Sequence, residues 1–374
     1  MTKPWRSRVP FGSLVSRLSV WAITALIVAP LAALPQLARA DVFQLTGDES
    51  NALFDKAKIS VVQVRSGDTG FVLAGTGFFI DDQGTVLTSS TILGDNPTAR
   101  VVINGVEMDA KILGNDPRSG LAMLRVSYGA SPALPLARAS ALESGDGVMT
   151  IGYPLNLPIS PSQGPVSGFD ASFLTRVAST TPGKEGSVAA VERFATTHIH
   201  ANVAISPGQV GGPLLNSRGE VVGLVATSPD DGRSVYALPV EAIAKIMADF
   251  NQYGHAKHGW VGVNVMEQPD LAKDGRTVRV VSIAPGTPAS ESGIRAGDTV
   301  MRIDSREVYR PADVLDASFY STVGADMKVV VRRDDKLFDY SFAVIERPAT
   351  VSAIATPVAG NTAPNSKHVA ADPR

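Results

Sequence analysis

The chain has 374 residues, 44% hydrophobic and 19% charged, with 34 glycines and 25 prolines. At roughly 100 to 200 residues per domain this fits two domains with tails, and it excludes collagen-like, wholly disordered and coiled-coil architectures. The net charge of −2 conceals a basic amino terminus: taking Lys3, Arg6, Arg8, Arg17 and Arg39 from 34 basic residues leaves 29 against 36 acidic ones, so no basic face for nucleic acid is expected, and the lack of cysteine excludes disulfides, thiolate metal sites and a cysteine nucleophile.

The basic start leads into an apolar run, Val20 to Ala29, broken by Pro30 and followed by Ala38-Arg39-Ala40. This is the pattern of a secretory signal over residues 1–40, cleaved after Ala40. The run is short of the roughly 20 residues of a spanning helix, so an uncleaved anchor is the lesser alternative. Export to the periplasm is expected, with no integral membrane segment after signal removal. From Ile59 to Val240 short runs rich in Val, Ile, Leu and Thr alternate with Gly, Pro, Asn and Asp. Val61–Val64, Thr76–Ile80, Val86–Thr88, Val101–Ile103, Ala122–Val126 and Val221–Val225 read as strands of an all-β sandwich or barrel. Ile243, Ile246, Met247 and Phe250 share one face of a helix over Glu241–Phe250. The first domain is therefore placed at 41–250, and the polar stretch 251–258 reads as a solvated linker, His255 and His258 included. A second domain over 259–346 has strands at Val261–Val265, Val278–Ile283, Thr299–Ile303, Lys328–Arg332 and Tyr340–Val344, with helices at Pro288–Ser292 and Pro311–Tyr320. Residues 347–374, including His368, are too poor in large apolar side chains to repay their ordering entropy and read as a disordered tail.

Three stretches occur in a telling order. Gly75 to Thr91 reads GTGFFIDDQGTVLTSST, Asn115 to Val126 reads NDPRSGLAMLRV, and Ser206 to Asn216 reads SPGQVGGPLLN. Together with Ile151-Gly152-Tyr153-Pro154 and Gln163-Gly164-Pro165-Val166-Ser167 they resemble the trypsin-like serine proteases of the HtrA type over most of residues 59–250. The resemblance implies a mainly β fold, a trypsin-like double β-barrel. It also places Thr91 where that family carries its general-base histidine, Gly120 where it carries the orienting aspartate, and Val210 where it carries the nucleophilic serine. A triad needs an attacking oxygen or sulfur, an imidazole to take its proton and a carboxylate to fix the tautomer. Val210 offers only methyl groups, Thr91 is no base near pH 7 and Gly120 has no side chain. Removing the nucleophile or the histidine from such a triad costs on the order of 10⁶ in kcat. The expectation is a protease fold with no catalytic residues, no cofactor and no metal.

Two rival readings place chemistry elsewhere. In one, Ser89, Ser90, Thr91 or Ser206 is a displaced nucleophile with His198 or His200 as its base, giving an active endopeptidase. In the other, His198 and His200 are ligands on one face of a strand, but two ligands without a third make a poor zinc site, and a packed or surface pair is the simpler reading. The loop Gly208, Gln209, Val210 can keep an oxyanion-type pocket for a carbonyl or carboxylate, or its glycines can serve the turn alone.

Gly259-Trp260-Val261-Gly262-Val263, followed by Val281 to Asp298 (VSIAPGTPASESGIRAGD), resembles a PDZ domain of the HtrA arrangement over 259–346. The resemblance implies that Trp260, Val261, Gly262 and Val263 form a loop for a terminal carboxylate, and that the following strand pairs with an extended peptide. Val314, Leu315 and Phe319 are spaced to offer a helix face to that groove or simply to fill the core. The expected partners are peptides or unfolded-protein C-termini. HtrA resemblance further implies a homotrimer, to which Phe43 and Phe54 are suited, or assembly as a regulator with an active paralogue.

Overall fold

The computed structural model describes residues 47–67, 74–178, 187–268, 276–348 and 356–357. The signal segment, Phe43 and His368 lie outside the described residues, as do the side chains of 173–193.

A helix that the strand-rich reading missed comes first among the described residues: α1 (Gly47–Ala57) carries Asp48 and Glu49 in its first turn and Lys56 in its last, the charge order its dipole favours, and buries Leu53 and Ala57. Six strands then close a barrel: β1 (Val61–Ser66), β2 (Gly75–Phe79), β3 (Thr85–Ser89), β4 (Ala99–Ile103), β5 (Val106–Asp116) and β6 (Leu121–Val126), in the order β1-β2-β3-β6-β5-β4. The short helix α2 (Ser90–Leu93) follows β3, its amino end capped by Ser89. β4 alternates buried and half-buried residues, as a strand with one wet face must. β2 and β3 are buried throughout because both faces are covered. Phe79 and Val86 fill this barrel, while Phe78 and Leu87 join a cluster shared with Met149, Ile151 and Leu215 of the next one.

The second barrel comprises β7 (Gly147–Gly152), β8 (Ser160–Ala178), β9 (Ser187–Ala201), β10 (Pro213–Leu215), β11 (Val221–Thr227) and β12 (Val235–Pro239), closed where β12 pairs back to β9. Of the long β8–β9 hairpin only the part of β9 with His198 and His200 was read as strand; β8 was not legible, because Ser, Gly, Pro and Asp interrupt its apolar alternation. Helix α3 (Val240–Tyr253) follows, burying Ala242, Ile243, Ile246 and Phe250 and ending at Gly254, whose φ of 75° is the left-handed cap. The expected helix face is the observed one.

The carboxy-terminal domain holds β13 (Gly259–Trp260), β14 (Val263–Glu267), β15 (Val278–Ile283), β16 (Thr299–Ile303), β17 (Arg306–Glu307), β18 (Asp326–Arg333), β19 (Lys336–Ala343) and β20 (Ile345–Glu346). β14, β15, β16, β18 and β19 form one sheet, and β13 pairs with β20. Helices α4 (Pro288–Ser292) and α5 (Pro311–Tyr320) start at their prolines and end as the sequence predicts. Beyond it, Arg347 N–H donates to His258 O at 2.8 Å, and Thr356–Pro357 pairs with Ala190 and Val191 of β9.

The two domains are joined by more than the chain. Asp316 of α5, 8% exposed, accepts from Thr196 Oγ1 (2.7 Å), Thr197 N (2.7 Å) and Thr197 Oγ1 (2.9 Å) of β9. Phe319, 2% exposed, enters the two-barrel cluster that contains Ile246 and Phe250, with Lys245 Nζ 5.0 Å from its ring centre. The linker reading needs a correction at its end. Lys257 N–H donates to Asp249 Oδ2 (2.9 Å), and His258 is 9% exposed, its Nε2 3.0 and 2.9 Å from the two oxygens of Asp116. A partner 142 residues away leaves no mark in a local reading of polarity. Phe319→Ala should cost about 3 to 5 kcal/mol, the range for emptying a buried aromatic site; urea unfolding of the full chain measures it, and a loss below about 1 kcal/mol would contradict the packing described.

Candidate functional site

The positions expected to carry protease chemistry do converge, across the seam between the barrels. Ser90 N–H donates to Gly120 O at 3.0 Å, which brings the segment bearing Thr91 against the β5–β6 turn. Ser89 Oγ reaches Ala226 O (2.9 Å) and Thr91 Oγ1 (2.8 Å). Opposite them, Val210 sits in a turn pinned to β2: Thr76 N–H donates to Val210 O (2.9 Å), and Thr76 Oγ1 donates to Gly208 O (2.7 Å) while accepting from Tyr153 N (3.1 Å). Gly211 N–H donates to Val225 O at 2.8 Å. The turn needs glycine at Gly211, where φ is 89° and a Cβ would lie 2.1 Å from Thr76 O.

Gln209 is 2% exposed, and its Oε1 accepts from Ser206 N at 2.8 Å, closing the turn on itself. The amides of Gly208 and Val210 donate to no backbone group among the described residues. The turn thus leaves two amides without a backbone acceptor on either side of Gln209, with a valine at its centre. Gly120 has a φ of 82°, and a Cβ there would stand 3.1 Å from Ala226 Cβ. An aspartate in this backbone would carry left-handed strain of about 1 kcal/mol.

The turn before Gly120 is held by a carboxylate. Asp116 accepts from Arg118 N (3.3 Å), Ser119 N (3.2 Å) and His258. Burial pushes the Asp116 pKa up, but the His258 bond and charge and the Ser119 bonds outweigh it and hold the carboxyl below its ordinary value.

His198 and His200 occupy unlike environments. His198 is wholly buried and stacked on Phe194 (3.8 Å between centres), with Nδ1 3.0 Å from Thr196 O. Its Nε2 has no hydrogen-bond partner among the described residues. Burial lowers its pKa to about 4, against smaller raising contributions from Thr196, the Ser119 backbone and Asp316. His200 stacks on Tyr236, contacts Ser234 Oγ (3.1 Å) and faces Asp170 at 3.7 Å. Ser234 in turn donates to Asp230 Oδ2 at 2.8 Å, so its proton points away from the imidazole. No hydrogen bond joins either histidine to Ser89, Ser90, Thr91 or Ser206 among the described residues. No group of three metal-ligating side chains occurs among the described residues either.

In the carboxy-terminal domain, Val261 and Gly262 link β13 to β14 and spend their carbonyls on the fold, accepting from Ala289 N (3.1 Å) and Ala284 N (2.8 Å). Their amides donate to no backbone group among the described residues, the arrangement a carboxylate loop requires. Gly262 has a φ of 86°, and a Cβ would run into Thr287 at 2.1 Å. Beside the loop, Val261, Val263, Val314, Ser318, Ile294 and Met327 line a small apolar pocket. The helix residues that line this pocket are Val314 and Ser318. Leu315 is half-buried and not part of that lining, and Phe319 is turned into the barrels. The spacing that suggested Phe319 was sound for a helix face but could not tell which of two domains that face meets.

These two sites define the class: a trypsin-like peptidase fold followed by a peptide-groove module. Residues 75–224 match the trypsin-like peptidase domain and residues 259–344 the PDZ domain. The chain is 29% identical over 305 residues to a probable periplasmic serine endoprotease DegP-like of Hahella chejuensis, covering 78% of this chain and 61% of that one. It is 26% identical over 291 residues to serine endoprotease DegS of Escherichia coli K12, covering 74% and 78%. The solved HtrA-type protease AlgW with decapeptide superposes with a TM-score of 0.62 at 21% identity, over 80% of this chain and 99% of that chain. The chain is a homologue of the DegP and DegS HtrA proteases, and it spans about 60% of the length of the DegP-like relative from Hahella. No helix among the described residues is long and apolar enough to cross a membrane.

Thr76→Val keeps the shape of that side chain and removes its hydroxyl, leaving Gly208 O and Tyr153 N buried without their partner. A loss of about 2 kcal/mol is expected. Thermal unfolding of the variant against the parent chain measures it, and an unchanged midpoint would show that the seam does not depend on this residue.

Proposed function

We propose that this chain, exported to the periplasm after loss of residues 1–40, is a catalytically inactive relative of the HtrA proteases. It works by holding peptides or unfolded-protein C-termini in its PDZ groove, as a chaperone, scaffold or regulator. The observation that carries the reading is Val210, a side chain without a nucleophile, in a turn whose surrounding hydrogen bonds are intact. Thr91 and Gly120, the other two positions, offer no base and no carboxylate. The relatives named as periplasmic endoproteases support the compartment, and the peptide complex of AlgW supports the groove. A homotrimer or a complex with an active paralogue fits the same reading; Phe54, half-buried against the barrel core, is the described residue suited to such contact.

The mature chain should neither cleave casein nor be labelled by a fluorophosphonate probe, and Val210→Ser alone should leave both results unchanged, since a serine without its base stays an ordinary alcohol. Labelling of one Ser or Thr that disappears in His198→Gln or His200→Gln would instead establish a displaced nucleophile.

Because Asp316 and Phe319 tie the PDZ domain to the barrels, peptide binding is best measured on the full chain. A peptide with an apolar free-acid terminus should bind with roughly micromolar affinity, about −8 kcal/mol. Its amidated twin should bind more weakly by about 2 kcal/mol, since backbone donors lose a charged acceptor. Equal affinities by calorimetry would mean that the Val261 and Gly262 amides take no carboxylate.

A further inference from the structure

Where β20 ends, a guanidinium lacks a counter-charge at the seam between the PDZ domain and the first barrel. Arg347 is half-buried, and its N–H donates to His258 O at 2.8 Å. Its Nε is buried with no hydrogen-bond partner, and no carboxylate pairs with its side chain, among the described residues. The neighbouring acid in the chain, Glu346, faces His255 at 3.2 Å instead. A charge withdrawn from water without a partner is costly, so this one calls for an anion.

A second arginine is brought to the same place by a chain of hydrogen bonds. Arg118 N–H donates to Asp116 Oδ1 (3.3 Å), both oxygens of Asp116 meet His258 Nε2 (3.0 and 2.9 Å), and His258 O takes the Arg347 amide. Asp116 and His258 are 6% and 9% exposed, and Arg118 is half-buried. Burial and then the Arg118 charge push the Arg347 pKa below its ordinary value, with no acid among the causes. Arg118 is lowered by burial too, with Asp116 opposing. Two cations, one from each domain, therefore repel each other beside a carboxylate that already faces His258.

We propose that Arg118 and Arg347 form a binding site for a phosphoryl anion, held between the first barrel and the PDZ domain. The charge fits, since the two guanidiniums match a phosphomonoester of about −1.5 to −2 at pH 7. The shape fits as well. A tetrahedral group presents oxygens on several sides and can accept from two planar forks that approach from different domains, whereas the one edge of a carboxylate suits a single fork. The site draws on no residue of the peptide loop or of the Val210 turn. Free phosphate and the phosphomonoester of a larger ligand offer it the same oxygens.

Calorimetric titration of the full chain with inorganic phosphate, in a buffer free of phosphate and sulfate, should show one anion bound per chain with a millimolar or tighter dissociation constant. At ten times that constant, the ratio of folded to unfolded chain in urea should rise about 11-fold. Arg347→Gln should abolish both effects, and Arg118→Gln should weaken binding by about tenfold or more. Arg302→Gln, at an exposed position of β16, should change neither. Without phosphate, Arg347→Gln should be no less stable than the parent, because it removes a repelled, half-buried charge.

The proposal is overturned if phosphate shows no saturable binding, if Arg347→Gln binds it as the parent does, or if acetate binds as tightly. It is overturned equally if Arg347→Gln is destabilised in phosphate-free buffer, which would reveal a partner for this charge within the chain. Glycerol 3-phosphate separates the two sources: binding as tight as that of phosphate, or tighter, identifies a phosphorylated ligand, weaker binding identifies the free anion, and either upholds the site.

Discussion

The hydroxyl and amide of Thr76 are the constraint on which the two-barrel site rests. One buried residue donates to the carbonyls of Gly208 and Val210, accepts from Tyr153 and, through its own carbonyl, takes the Thr88 hydroxyl at 2.7 Å. Two strands of the first barrel and two loops of the second are thereby fixed by neutral hydrogen bonds away from water, where an unmade bond costs more than a made one contributes. Gly211 has to be glycine because the same carbonyl occupies the space of its Cβ. The pinning of Val210 runs through its backbone carbonyl, so it does not draw on the side chain at that position.

The second organising feature is α5, a helix with two employers. Val314 and Ser318 face the PDZ pocket, while Asp316 and Phe319 face the barrels. Residues four apart share a helix side and residues two apart do not, so a ten-residue helix can pack into its own domain and clasp a strand of the other at once. The carboxylate of Asp116, in the turn that leads to Gly120, is tied to His258 in the connection between the domains. The segment around Gly120 and the domain junction are therefore neighbours through one turn of chain, Asp116 to Gly120. His198, whose ring faces Ser119 of that turn, belongs to the same region.

Much of the fold could be read from local pattern. β1, β3, β15 and β16, and the helices α3, α4 and α5, lie where alternation, helical spacing and the Pro and Gly punctuation place them. Strand β8 and helix α1 were not legible, the first because polar and glycine residues hide its alternation and the second because its charged caps flank only a few apolar positions. Thr91, Gly120 and Val210 were found because the residues around them resemble a known family, not because their own chemistry announces a site.

The sequence by itself determined which chemistry the chain can supply: no cysteine anywhere, no serine at position 210, no imidazole at position 91 and no carboxylate at position 120. Side-chain identity is a local property, and no folding alters it. The tertiary structure decided environment. It buried His258 against Asp116 and turned Phe319 into the barrels. Each outcome depends on groups more than a hundred residues away in the chain or on a neighbouring domain, and burial is a property of the assembled surface that a one-dimensional pattern does not contain.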